Sequence, residues 1–442
     1  MTFDPDLDAP APALKRVFGL TTLVIYGVGD ILGAGIYAVV GKIAGESGTL
    51  VWLAFLVAMV VAALTAFSYA ELGSRLPKSG GVAYFIHIAF QREWLSMLIG
   101  WLMFCTCLVS MATLAIAFAG YFNAFIPGIP AWAIVLALFA TLGFVNFRGM
   151  KESSALNILC TSLEVSGLLI VILLSTLYLG GGTATASSAL PASPDLIGSS
   201  RILPGAALAF YAFIGFEDIV NVAEEVKNPE RNVPRAIVLS LGIAGVVYIL
   251  VSWLATQVLS PAELSASRAP LLDVVRRAQP NFPAVVFTII ALFAVLNTAL
   301  LNFVTASRLL FGMAREGLLP SWLGTLHPTR RTPTRTFLVI LPIAIALALS
   351  GTLQFLAGTT ATLIMGMFCL VNVSLLVIKR RDPDQGSFQV PWLVPVLALG
   401  SNLVLLASAS PESHRLALIF TAIGLVLIAV HRAIAGRFPA AT

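Results

Sequence analysis

The sequence predicts an all-α integral membrane protein of 12 transmembrane helices: two five-helix blocks of opposite orientation, then two further helices. Three observations carry this. Of 442 residues, 58% are hydrophobic and 11% charged, whereas a water-soluble domain carries about 25% charged residues. The apolar residues gather in runs of about 20, the length that crosses a bilayer. Two of those runs, five apart in order, are broken by glycine and acid.

The runs lie near 20–44, 50–74, 94–123, 131–147, 155–179 and 202–225 in the first half of the chain. The second half adds 234–258, 283–312, 336–354, 357–378, 391–408 and 413–431. If they alternate across the membrane, one set of loops and ends holds 20 of the 26 Lys and Arg residues and the other holds 6. Basic residues mark the cytoplasmic side, so both termini are expected there, in the cell (inner or plasma) membrane. The expected organisation is a tail (1–18), a first block (19–180), a second block (200–380), a final helix pair (389–432) and a tail (433–442).

Composition also excludes. The net charge of +5 follows this loop bias and indicates no nucleic-acid partner. Cys105, Cys107, Cys160 and Cys369 all sit inside apolar runs, where free cysteine packs as a small apolar residue and no disulfide scaffold is expected. His87, His327, His414 and His431 have no metal-ligand spacing, so neither metal nor cofactor is expected. Residues 1–13 contain three Asp and three Pro and no basic segment, unlike a signal peptide.

The interruptions are the informative feature. The first run reads Gly27-Val28-Gly29-Asp30-Ile31-Leu32-Gly33-Ala34-Gly35-Ile36-Tyr37, and the sixth reads Phe210-Tyr211-Ala212-Phe213-Ile214-Gly215-Phe216-Glu217-Asp218-Ile219. Close helix packing explains Gly41 and Gly45. It does not explain Gly33-Ala34-Gly35, because consecutive small residues point to different faces of a helix. Unwinding is expected at both places, and unwound backbone within a membrane must face protein or a watery cavity. Each block has an odd number of runs, so the second begins on the opposite side of the membrane. Matched breaks in an inverted repeat mark a midplane substrate site.

The chemistry of such breaks is direct. A half-helix that starts after Gly33-Ala34-Gly35 presents free N–H groups and a positive dipole end, which hold a carboxylate. The half-helix ending near Ile31 leaves carbonyls for an ammonium group, as do Tyr211 and Ile214 in the sixth run. One group of each sign, a few ångströms apart, describes an α-amino acid. Asp30, Glu164 and Glu217 lie within apolar runs, where each costs about 2.5–3.5 kcal/mol on insertion scales. Asp30 is expected at the substrate, and Glu217 and Glu164 at proton coupling. Glu217, Asn221 and Glu224 are expected to share one face at α-helical spacing, as are Thr298, Asn302 and Thr305 in the eighth run.

These segments resemble the amino acid–polyamine–organocation superfamily over most of the chain. The resemblance is carried by Gly33 to Tyr37, by Tyr69-Ala70-Glu71-Leu72-Gly73-Ser74-Arg75-Leu76-Pro77-Lys78-Ser79-Gly80-Gly81, and by Gly215-Phe216-Glu217 with Ala223 to Ile237. Asn146 with Gly149 and Lys151, and Ser307-Arg308 through Met313 to Pro320, add to it. It implies a LeuT-type fold, with ten core helices in two inverted repeats and two peripheral helices. It also implies secondary transport of amino acids, with a proton or sodium as coupling ion, or by exchange. By position Gly33, Ala34 and Gly35 match the carboxylate-binding stretch. Ile31, Tyr211 and Ile214 match carbonyls that hold the amine, Tyr211 an aromatic gate, and Glu217 a proton-sensing carboxylate.

Two positions depart from the pattern. Several proton-coupled relatives carry a lysine seven residues after an asparagine in the fifth run, whereas Asn157 is followed at that spacing by Glu164. Asp30 stands where an uncharged residue is usual. The leading expectation is a proton-coupled amino acid permease working by alternating access in lipid, not an enzyme. An amino acid/amine exchanger or a polyamine carrier is the alternative, and a membrane-embedded enzyme and a transporter-like sensor rank below both. The loop motifs are expected to brace the cytoplasmic side.

Overall fold

The computed structural model describes residues 16, 18–78, 81–148, 154–181, 201–315, 317–327, 332–383 and 386–435. The expected tails therefore fall almost wholly outside the described residues, as do Gly149, Lys151 and the side chains of Asn157 and Cys160. Among the described residues the β pairing consists of one isolated bridge, between Phe18 and Val226. Everything else that is regular is helical.

The first expected span is filled by α1 (Leu20–Leu32) and α2 (Ala34–Ser47). Then come α3 (Val51–Arg75), α4 (Gly81–Phe90), α5 (Glu93–Phe125), α6 (Ala131–Arg148) and α7 (Ser154–Gly180). The sixth is α8 (Ile202–Ala209), continued by two 3₁₀ stretches, Phe210–Phe213 and Phe216–Glu225. Next are α9 (Pro229–Val258), α10 (Pro261–Ala266), α11 (Pro270–Ala278) and α12 (Ala284–Arg315). The chain closes with α13 (Phe337–Ser350), α14 (Leu353–Arg381), α15 (Leu393–Ser408) and α16 (Pro411–Ala435).

Eight helical stretches among the described residues are long and apolar enough to cross a membrane, the first of them, Leu20–Arg75, running through α1, α2 and α3. Four shorter apolar helices accompany them: Gly81–Phe90, Ala131–Phe147, Thr334–Ser350 and Leu393–Ser408. The outer helices carry many exposed large apolar side chains, among them Leu338 (71%), Leu393 (62%) and Leu418 (68%), a broad apolar surface of the kind that faces lipid. The chain is a multi-pass membrane protein.

Three local departures have physical causes. The ninth and tenth runs divide at Gly351-Thr352, earlier than expected, because the Thr352 hydroxyl accepts the Phe355 N–H (3.3 Å) and starts α14. Helix α4 was not expected, since ten residues are too few to cross a bilayer. Between the seventh and eighth runs, proline at the first position of α10 and of α11 and a capping box at Ser260 and Glu263 form two short helices. Gly41 and Gly45 do pack closely: a Cβ on them would lie 2.3 Å from the Leu264 carbonyl oxygen and 2.5 Å from Ser265 Oγ.

The motif at the end of α3 is a brace. Glu71 Oε1 accepts from Arg75 Nη2 (2.6 Å) and Lys379 Nζ (2.8 Å), and Oε2 accepts from Lys379 Nζ (2.7 Å) and the Val390 N–H (2.8 Å). Arg75 Nη1 then donates to the Asp382 carbonyl (2.7 Å) and Lys379 Nζ to that of Val390 (2.6 Å). All three charged side chains are buried. The network ties α3 to the end of α14 and to the segment after it.

Candidate functional site: two docked helix breaks

The first break is a single residue. Helix α1 ends at Leu32, Gly33 takes φ −47° and ψ −153°, and α2 begins at Ala34. The expected unwinding through Gly35 is thus confined to Gly33. Gly35 sits inside α2, where its missing side chain admits the second break: a Cβ there would lie 2.8 Å from Ala212 Cα. Close packing therefore applies to Gly35, and unwinding to Gly33. Three N–H groups at the start of α2, those of Ala34, Gly35 and Ile36, have no intrahelical carbonyl to bond. That of Ala34 donates to Thr298 Oγ1 (3.1 Å), which brings the expected polar residue of α12 to the break. Asn302 instead bonds the Thr298 carbonyl within its own helix (3.0 Å), and Thr305 is exposed.

The second break is longer and tighter. Ile214 is extended (φ −63°, ψ 136°), Gly215 has φ +131°, and 3₁₀ helix follows to Glu225. Only glycine adopts that φ readily, and only glycine fits there. A Cβ on Gly215 would lie 2.9 Å from the carbonyl carbon of Asp30 and 3.1 Å from the Ile31 nitrogen. The two breaks are docked, backbone on backbone, at two points. The segment before α1 is also joined to the end of the second 3₁₀ stretch, by Phe18 N–H to the Glu225 carbonyl (3.0 Å) and Lys227 N–H to the Phe18 carbonyl (2.8 Å).

The 3₁₀ geometry corrects one expectation. At three residues per turn, positions i and i+3 eclipse, while i+4 and i+7 lie a third of a turn away. Glu217 is accordingly buried, whereas Asn221 and Glu224 are exposed. The residues that share a face are Asp218, Asn221 and Glu224, and Asn221 Nδ2 donates to Asp218 Oδ1 (2.8 Å).

Of the carbonyls expected to hold an amine, that of Ile31 is met by the Tyr248 hydroxyl, which also lies 3.1 Å from the Ala212 carbonyl oxygen. A tyrosine hydroxyl has one hydrogen, so it serves one of these two carbonyls at a time. The Tyr211 carbonyl faces the Ile214 N–H at 3.5 Å, and Ile214 itself is half-buried. The Tyr211 ring is buried, its hydroxyl 3.3 Å from Ser110 Oγ of α5. Tyr248 and Ser110 are the residues that sequence reasoning missed. Each is one of several scattered hydroxyl residues in a largely apolar run (Thr106 and Thr113 beside Ser110, Ser240 and Ser252 beside Tyr248), and nothing local distinguishes it.

The acids divide by partner. Glu217 Oε2 accepts the Gly215 N–H (2.9 Å), so its carboxylate caps the break it follows. Glu164 Oε1 accepts from Asn297 Nδ2 (3.0 Å), and the Glu164 backbone carbonyl accepts the Tyr37 hydroxyl (2.8 Å). The Asp30 carboxyl is within hydrogen-bonding reach of Asp218, and its Oδ2 is buried without a hydrogen-bond partner. The structure thus brings Asp30, Ile31, Gly33, Ala34, Gly35, Tyr211, Ile214 and Glu217 into one docked unit, with Glu164 reaching α12 beside it. A separate cavity of about 490 Å³, lined by Lys42, Asn123, Trp132 and Arg268 among others, includes none of them.

A family profile of amino acid permeases matches residues 18–432, both breaks included. The chain belongs to the amino acid permease family. The permease is 28% identical over 452 residues to the branched-chain amino acid permease of Bacillus subtilis (strain 168), covering 94% of this chain and 92% of that protein. It is 27% identical over 418 residues to the methylthioribose transporter of the same organism, covering 88% and 87%. It is 28% identical over 395 residues to the vacuolar cationic amino acid transporter 4 of Arabidopsis thaliana, covering 85% and 65%. Transporters of this kind are not enzymes, and the superfamily resemblance read from the motifs is shown.

Proposed function

We propose that this permease is a secondary active transporter that carries amino acids, in symport with protons, by alternating access. The observation that carries the reading is the docking of the two breaks. It sets the first N–H groups of α2 beside the carbonyls of Ile31 and Ala212, opposite partial charges within one packed unit. The helix start favours an anion and the carbonyls favour a cation, and an α-amino acid offers both. Two of the relatives named above are amino acid transporters by name, which agrees.

In this reading the helices form a LeuT-type arrangement of 12 spans, with repeats at 19–180 and 200–380 and a peripheral pair at 389–432. Three of the shorter apolar helices, α6, α13 and α15, complete the count as the fourth, ninth and eleventh spans. Both termini face the cytoplasm of a cell membrane, as the basic loop bias indicates. Gly33, Ala34 and Gly35 hold the carboxylate, Ile31, Tyr211 and Ile214 the amine, and Tyr211 shields the site.

A second reading, an amino acid/amine exchanger or a polyamine carrier, draws on a different observation. Asp30, Asp218 and Glu217 cluster at the breaks with no basic residue, among the described residues, in the charged groups acting on them, which suits a cationic substrate. Purified protein in liposomes, given a panel of amino acids and amines with and without an inward proton gradient, tests both. The first reading expects uptake of an amino acid, accelerated by the gradient. Uptake of amines alone, or of no amino acid, overturns it.

A further inference from the structure

We propose that Asp30 and Asp218 form a carboxyl pair that carries a single shared proton, and that this pair is where the proton couples to transport. The inference rests on the proton-symport reading above and assigns its coupling site.

Geometry brings the pair together from two different broken helices. Gly215 presses its bare Cα face onto the Asp30–Ile31 backbone. One 3₁₀ turn later the Asp218 N–H bonds the Gly215 carbonyl (3.0 Å), and the Asp218 carboxyl comes within hydrogen-bonding reach of that of Asp30. A carboxylate has no hydrogen to give, so a hydrogen bond between two carboxyl groups holds one proton. Asp218 Oδ1 already accepts from Asn221 (2.8 Å), and Asp30 Oδ2 is buried with no partner. The pair therefore has an oxygen in place for a second proton, or for the first when the two groups part.

The surroundings single out this pair among the acids. Asp30 is within electrostatic range of Glu217 on the second break and Glu164 on α7, Tyr69 on α3 and Cys107 on α5 of Asp218 and Glu217, and Tyr248 on α9 of Glu164. No lysine, arginine or histidine appears among the groups acting on the pair, considering the described residues. Glu217 is occupied by the Gly215 N–H and is 3% exposed, and Glu164 is 1% exposed behind Asn297. Asp218 is half-buried and its partner Asn221 exposed, which makes a polar step toward the end of the molecule where Phe18 meets Val226. Gly81 closes over that step: a Cβ on it would lie 2.3 Å from Asn221 Oδ1.

The cycle balances. With the halves docked, the pair holds one proton and a charge of −1. When a conformational change parts them, the O–H bond breaks, the proton passes to water, and the pair holds −2 until it is reprotonated from the other face. One proton enters and one leaves for each passage of substrate.

The test measures labelled amino acid and proton entry together, in liposomes loaded with a pH-sensitive dye. Wild type is expected to move both. Asp218→Asn is expected to lose the proton influx that accompanies substrate, together with the acceleration by a proton gradient. Glu263→Gln, in short helix α10 away from both breaks, is expected to keep the wild-type ratio of protons to substrate. Asp218→Glu, which restores the carboxyl on a longer arm, is expected to restore coupling with a shifted pH midpoint, and it decides the matter if Asp218→Asn fails to fold. A wild-type proton ratio in Asp218→Asn, or a wild-type pH profile in Asp218→Glu, overturns the pair alone. A wild-type protein that carries amino acid without protons overturns the symport reading and the pair together.

Discussion

Two buried groups of acid in this permease are built in opposite ways. At the end of α3, Glu71 is enclosed by Arg75, Lys379 and the Val390 N–H, with cations and donors on both of its oxygens. At the helix breaks, Asp30, Asp218 and Glu217 are enclosed by one another, by amides and by tyrosines. The first arrangement is complete in itself and holds segments together. Among the described residues the second has no basic group among those acting on it, which in the proposed mechanism leaves it to take up a proton or an ammonium group. The proposal above therefore assigns the changing charge to the acids at the breaks and a structural role to Glu71.

Substitutions sharpen this contrast. The largest loss is expected from Glu71→Gln, which leaves Arg75 and Lys379 buried without a counter-charge. Breaking a buried pair in this way costs about 3–5 kcal/mol, to be read as a steep fall in thermal unfolding temperature in detergent. Tyr248→Phe comes next. It removes the hydroxyl that serves the Ile31 and Ala212 carbonyls, at a cost of about 1–3 kcal/mol for a buried acceptor left unpaired. Weaker substrate binding in the same variant would link those carbonyls to the site. Glu217→Gln should cost about 1 kcal/mol or less, because the amide oxygen can still accept the Gly215 N–H and no cation is stranded. If Glu217→Gln were as destabilising as Glu71→Gln, the contrast between the two groups would fail.

The smallest effect is expected outside the membrane, at the start of α10. Hydrogen bonds from the Ser260 backbone and hydroxyl (2.8 Å each), with Arg277 at 3.0 Å, hold the Glu263 carboxyl below its usual 4.5. An acid shifted downward on folding stabilises the fold above its unfolded value and loses that contribution as pH falls through its folded value. Its side chain is 46% exposed, so the contribution is at most about 1 kcal/mol. The difference in unfolding temperature between wild type and Glu263→Gln should therefore be small at neutral pH, begin to shrink as pH falls past 4.5 and vanish once pH lies below the depressed folded value.

What was legible in the sequence follows from the range of the forces involved. The apolar runs and both breaks were legible because hydrophobicity and glycine act locally, and the helices match the runs to within a few residues. The exception among the runs is the boundary at Thr352, where a side-chain cap decides. The partners of Glu71 were not legible: Lys379 is 308 residues away and only the fold brings it near. The pairing of Asp30 with Asp218 was hidden for another reason. Alpha-helical spacing groups Glu217 with Asn221 and Glu224, whereas the 3₁₀ turn groups Asp218 with them. Gly33-Ala34-Gly35 reads as unwound backbone from its three small residues, yet Gly35 is helical, and its missing side chain matters because Ala212 needs the space.

The central claim is that the docked breaks grip both ends of a zwitterion. It is tested most directly by competition for binding of a labelled amino acid to the purified permease, between that amino acid, its decarboxylated amine and its deaminated acid. The account predicts that only the molecule bearing both groups displaces the label efficiently. Displacement by the amine as strong as by the parent amino acid would contradict it.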